Sequence, residues 1–151
     1  IRSLTKFLGL AGLRIGYAIT NSDRLFEWEG LRDPWPVNTL AVNATKMIMN
    51  DPYMIKKRLN KIHRWVKKEG KWLDKNLSNF SSLRPLPSNT NFQLIKSKYP
   101  LLDIIQGLKQ RGILLRDCRS FINLGEDWFR ISLQKREDNI QIINTLKEYI
   151  S

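Results

Sequence analysis

Between Asn50 and Asn76 the chain carries one long amphipathic segment, and its neighbours must be arranged around it. Pro52 stands where a helix accepts proline, in the first turn, because that N–H has no intrahelical acceptor. Ile55, Leu59, Ile62, Val66 and Leu73 then recur at helical spacing on one face. Lys56, Lys57, Lys61, Arg64, Lys67, Lys68 and Lys71 fill most of the remainder. The spacing predicts a helix to about Lys75. It divides the sequence into residues 1–50, a helix over 51–76 and residues 77–151.

Before the helix, Ile15–Thr20 is rich in β-formers and reads as a short strand. Asn21-Ser22-Asp23 offers caps for a helix through Trp28. Asp33-Pro34-Trp35-Pro36 interrupts regular structure, since residues before proline avoid the α region. Asn38–Met49 reads as a further helix. After the long helix, strands are expected at 80–83 and 91–95, separated by the loop from Pro85 to Asn89. A helix over 101–110 follows, with Gly112 near its C-terminal cap. Strands at 113–115 and 129–133 come next. A final helix over 136–150 turns Ile142, Ile143, Leu146, Tyr149 and Ile150 inward. Strand-strand-helix-strand-strand-helix implies a small α+β layer with helices on one sheet face.

The net charge of +12 favours anionic partners. Nucleic acid, acidic membranes and phosphorylated small molecules all qualify, so charge alone does not choose. No run approaches the roughly 18 apolar residues of a membrane helix. The lone Cys118 excludes an internal disulfide and a cysteine-based metal site, and the single His63 removes most zinc and Ser-His-Asp arrangements. No metal site and a cytoplasmic setting are expected.

The segment richest in chemistry is Ser3-Leu4-Thr5-Lys6-Phe7-Leu8-Gly9-Leu10-Ala11-Gly12-Leu13-Arg14-Ile15-Gly16-Tyr17. It sets an amine, two hydroxyls and a guanidinium around glycines that let the backbone turn and approach a ligand. Arginine suits phosphate because its planar donors bind two oxygens at once. The segment resembles the cofactor-lysine region of pyridoxal-phosphate enzymes of the aminotransferase class I/II family. The resemblance extends over essentially the whole chain. It implies an α/β chain that is the C-terminal part of a pyridoxal-phosphate-dependent transferase fold. Residues 1–50 correspond to the end of the large domain, 51–76 to the bridging helix and 77–151 to the small C-terminal domain. It further implies that Lys6 is the Schiff-base lysine and that Ser3 and Arg14 bind the cofactor phosphate, with Thr5 a lesser candidate. In that family the lysine lies past the middle of the chain, with further cofactor contacts upstream. The implied parent is a larger homodimeric enzyme, and the 151 residues alone are expected to be inactive.

Further segments bear on the branch. Arg32-Asp33-Pro34-Trp35-Pro36-Val37-Asn38-Thr39-Leu40-Ala41 and Ile1-Arg2-Ser3-Leu4-Thr5-Lys6 resemble L-threonine-O-3-phosphate decarboxylases of cobalamin biosynthesis. Histidinol-phosphate aminotransferases are the alternative. Both branches place one arginine after a short strand and another on a strand about fourteen residues later, here Arg116 and Arg130. The resemblance implies that Arg130 binds the substrate carboxylate, with Arg116 on the substrate phosphate or the carboxylate. Two readings outside catalysis remain. One is an inactive remnant. The other is a nucleic-acid site on the basic helix, with Trp65 and Trp72 stacking on bases. The helix cations spread around the axis instead of forming a stripe, so a solvated face is the expected role, with no nucleic-acid or membrane partner.

Overall fold

The computed structural model describes residues 1–150, which fall into two compact units, Ile1–Ile62 and the residues from His63 onward. In the first unit, β1 (Arg2–Ser3) pairs antiparallel with β2 (Gly16–Tyr17), with Ser3 opposite Gly16. Between them lie the five-residue helix α1 (Leu4–Leu8) and one 3-10 turn at Ala11–Leu13. The expected strand over 15–20 thus reduces to two residues, because β1 offers only two residues to pair with. Helices α2 (Ser22–Gly30) and α3 (Thr39–Met49) follow. Each is capped by an asparagine. Asn21 Oδ1 accepts from the Arg24 N–H, and Asn38 Oδ1 from the Ala41 N–H. Few side chains here are buried, namely Leu4, Thr5, Leu8 and Ala41. Ile19, Phe26, Leu31, Trp35, Leu40 and Met47 stand exposed, Trp35 at 91%. An apolar surface of this kind is characteristic of a face made to be covered.

Helix α4 (Pro52–Leu77) matches the expected amphipathic helix. Its apolar face is unevenly used. Leu73 and Leu77 are fully buried and Trp65, Val66 and Trp72 pack beside them, while Leu59 is exposed.

The second unit is built on a four-stranded antiparallel sheet. In chain order its strands are β3 (Leu83–Pro85), β4 (Phe92–Ser97), β5 (Arg116–Asp117) and β6 (Trp128–Ser132). Their spatial order is β3-β4-β6-β5. Side chains alternate strictly along the central pair. Ile95, Phe129 and Ile131 point to the core, where α4, α5 (Leu102–Gln110) and α6 (Arg136–Ile150) bring Leu73, Leu108, Ile143 and Leu146. Three expectations shift. The strand over 80–83 forms at 83–85, since the Phe80 and Leu83 N–H groups bond within turns. The strand over 113–115 forms at 116–117, because the Ile113 N–H closes on the Leu108 carbonyl beyond α5 and is lost to the ladder. Tyr149, expected inside, is 39% exposed, with its ring over the space left by Gly107 and 5.7 Å from the Arg111 guanidinium carbon.

One buried carboxylate ties α4 to α6. Arg136 Nε and Nη2 donate to the two Glu69 oxygens at 2.9 and 3.1 Å, and Asn139 Nδ2 donates at 3.3 Å. The hydrogen bond from Arg136 holds the Glu69 carboxyl below its ordinary value of 4.5, against the opposing effect of burial. A depressed carboxylate stabilises the fold above its ordinary range, and that contribution disappears as pH falls through the folded value. Glu69→Gln should therefore cost about 2 kcal/mol at pH 7, with the gap to wild type closing in acid. Urea unfolding followed from pH 7 down to about pH 2 checks this; a gap that stays constant over that whole range would remove the ion pair as its source.

Candidate active site

The segment from Ser3 to Tyr17 is organised by the β1–β2 pairing. Ser3 lies opposite Gly16, and the Leu4 N–H donates to the Ile15 carbonyl at 3.1 Å. This closure brings Ser3 alongside the turn that carries Arg14. Gly16 is required at the crossing, since a Cβ there would meet the Arg2 carbonyl oxygen at 2.7 Å. Ser3 takes the N-cap position of α1, yet its hydroxyl makes no capping bond. Lys6 is exposed in the middle of α1, whereas Thr5 beside it is buried. Gly9 ends α1 in the left-handed region at φ 70°, its N–H returning to the Thr5 carbonyl.

Two residues that stood out weakly or not at all in the sequence support this turn. Arg58 of α4 donates from Nε to the Phe7 carbonyl at 3.1 Å and from Nη2 to the Leu8 carbonyl at 2.9 Å. These are carbonyls at the open end of α1, so Arg58 fixes the helix that bears Lys6. In sequence it is one basic residue among many on α4. Asn38 donates from Nδ2 to the Leu13 carbonyl at 3.2 Å while capping α3. Arg14 itself sits at φ 51°, ψ 58°, with Nη1 donating to the Ala11 carbonyl at 3.2 Å. The rest of its guanidinium donors are directed to no acceptor among the described residues.

In the second unit the two expected substrate arginines stand directly opposite each other. Arg116 and Arg130 are partners in the β5–β6 register. Like charges so placed repel unless something negative lies between them. Among the described residues neither has a carboxylate within ion-pairing distance. Asp117, the nearest acid in sequence, is committed to Arg119, whose backbone N–H donates at 2.9 Å and whose Nε donates at 2.8 Å. Those bonds hold the Asp117 carboxyl below its ordinary range. Arg130 lies over the Phe92 ring, with its guanidinium carbon 4.2 Å from the ring centroid. Arg116 rests over Phe121 at 5.5 Å and donates to Ser120 Oγ at 3.1 Å. Burial pushes the Cys118 thiol up, while both arginine charges pull the other way. It is a packing residue on the core side.

A turn bearing lysine, serine and arginine in one unit, and an uncompensated arginine pair in the other, match the class of enzyme that works on anionic amino compounds with a phosphorylated cofactor. The chain belongs to the aminotransferase class I and II family, whose model matches residues 1–146. Enzymes of that family are pyridoxal-phosphate-dependent. The chain is 37% identical over 151 residues to a histidinol-phosphate aminotransferase of Thermoanaerobacter sp. (strain X514), covering 99% of this chain and 41% of that protein. Two solved structures superpose with a TM-score of 0.84 each. One is the histidinol-phosphate aminotransferase from Clostridium acetobutylicum, 26% identical, covering 98% of this chain and 44% of the other. The second is the L-threonine-O-3-phosphate decarboxylase from Porphyromonas gingivalis, 28% identical, covering 97% and 45%. The chain thus spans less than half the length of the relatives it matches. Among the described residues no helix is long and apolar enough to cross a membrane.

Proposed function

We propose that the protein to which this chain belongs is a pyridoxal-phosphate enzyme acting on a phosphorylated amino acid or amine, as a cytoplasmic homodimer. Residues 1–50 close its large domain, 51–76 form the bridging helix and 77–151 the small domain. The uncompensated facing of Arg116 and Arg130 carries the reading, because two adjacent cations without an acid call for a bound anion. The donor set of the first unit fits the cofactor, with a hydroxyl at Ser3 and guanidinium donors at Arg14 for its phosphate, and an exposed amine at Lys6. When bound, the cofactor supplies an electron sink for the bond broken at the substrate Cα.

The residues of this chain do the rest. Lys6 Nζ is the amine that holds the cofactor. Ser3 Oγ and the Arg14 guanidinium hold its phosphate, with Thr5, beside the lysine in sequence, as the lesser candidate. Arg130 takes the substrate carboxylate through paired N–H donors, and the Phe92 ring packs against that guanidinium. Arg116 takes the substrate phosphate or shares the carboxylate. Gripping both ends decides which Cα bond is aligned for cleavage. Loss of carbon dioxide gives a decarboxylase; loss of the proton leads to transamination.

The segment from Arg32 to Ala41 favours decarboxylation of L-threonine-O-3-phosphate, a reaction of cobalamin biosynthesis. The 37% identity to a histidinol-phosphate aminotransferase supports transamination as the second reading. The full-length protein, loaded with pyridoxal phosphate, distinguishes them. Carbon dioxide from L-threonine-O-3-phosphate selects the first; amino transfer from histidinol phosphate to 2-oxoglutarate selects the second. In either case Arg130→Ala should cost about 1.5–3 kcal/mol in kcat/KM. An unchanged kcat/KM would refute the clamp.

A further inference from the structure

We infer that Asn38 is a positioning residue that aims Arg14, an inference resting on the phosphate role given to Arg14 above. Arg14 and Asn123 are the two non-glycine residues at positive φ among those described. For a residue with a full side chain this region is costly, on the order of 1 kcal/mol, and persists only where the surroundings impose it. Here the carbonyls of both neighbouring residues, Leu13 and Ile15, are tied. On one side the Ile15 carbonyl accepts from the Leu4 N–H at 3.1 Å, which the β1–β2 pairing explains. On the other the Leu13 carbonyl accepts from Asn38 Nδ2, contributed from 25 residues away.

The orientation of the Asn38 amide follows from its second bond. The Ala41 backbone N–H can only donate, so the atom 2.9 Å from it is Oδ1 and the amide nitrogen faces Leu13. Capping α3 needs only an oxygen, which aspartate, serine or threonine also supply. Holding the Leu13 carbonyl needs a donor as well. Of the usual capping residues asparagine alone presents both from one planar group. The Leu13–Arg14 peptide plane is thus fixed by a side chain whose cap accounts for half of its bonding. Turning that plane re-aims the Arg14 guanidinium.

Asn38→Asp separates the two roles, because it keeps the cap oxygen and turns the donor into an acceptor facing another oxygen. The measurement is affinity in the full-length protein for pyridoxal phosphate and for pyridoxal, which lacks the phosphate, read from the visible absorbance of the bound ligand. Asn38→Asp should weaken pyridoxal phosphate about tenfold and leave pyridoxal and the thermal midpoint nearly unchanged. In an Arg14→Ala background it should add nothing. Equal weakening of both ligands, or an undiminished effect without Arg14, overturns the inference and leaves the role of Arg14 intact. If Arg14→Ala itself leaves pyridoxal phosphate affinity unchanged, the phosphate reading falls and this one with it. Asn38→Ser, whose hydroxyl caps without reaching Leu13, gives the same comparison should the aspartate variant fail to fold.

Discussion

Lys6→Ala in the full-length protein is expected to reduce turnover by at least about a thousandfold, or about 4 kcal/mol in barrier, with every substrate. The variant should also lose the visible absorbance that bound pyridoxal phosphate shows in wild type. The structure makes the test clean. Lys6 is exposed on α1, and buried Leu4 and Leu8, the Gly9 cap and the two Arg58 bonds hold the helix as well. Alanine is the best helix former, so α1 persists when the amine is removed. Loss of activity therefore separates from loss of fold, which a thermal midpoint within a few degrees of wild type verifies. Lys6→Arg keeps a cation but supplies no neutral amine, and it should be as inactive as the alanine variant. Residual turnover near wild type in either variant would exclude Lys6 as the residue that holds the cofactor.

Phe129→Ala should cost about 3–5 kcal/mol, the largest stability effect of any single truncation in the second unit. Phe129 is fully buried on β6, one of the two central strands, and faces Ile95 in one register and Asp117 in the other. Its ring belongs to the cluster that α4, α5 and α6 form over the sheet. No helix can collapse into the vacated volume without leaving its own contacts, so the cavity term adds to the lost burial. By contrast Ile142→Val, in the middle of α6, removes one methylene and should cost about 1 kcal/mol. Urea unfolding of the full-length protein, following a signal local to the second unit, measures both. A cost below about 1 kcal/mol for Phe129→Ala would mean that the sheet and helices do not close on this residue.

The parts of the fold that rest on long-range periodicity were legible in the sequence. The amphipathic pattern over 52–75 became α4, and the final pattern from Arg136 became α6. The spacing of Arg116 and Arg130 was readable too, though their facing register was not, since register belongs to strand pairing. The short elements escaped for a common reason. Helix α1 spans five residues, too few to declare itself by periodicity or to stand alone. It exists because Arg58, fifty residues on, takes its last carbonyls. Nothing local marks Arg58 among the surrounding cations. Likewise Asn38 reads in sequence as the start of a helix, and its bond to Leu13 depends on where the chain returns. Leu59 and the neighbouring apolar residues of α4 were correctly placed on one face, yet that face is covered mainly over its C-terminal half.

The facing arginines of β5 and β6 also make the edge of the sheet responsive to its occupant. Empty, the pair pushes against a ladder only two residues long. Filled by an anion, the same charges pull the strands together. Occupancy and unfolding are then linked equilibria. A ligand at a hundred times its dissociation constant adds about 2.7 kcal/mol to the stability of whatever it binds. On the role proposed for the pair, the melting temperature of the full-length protein should rise with substrate concentration.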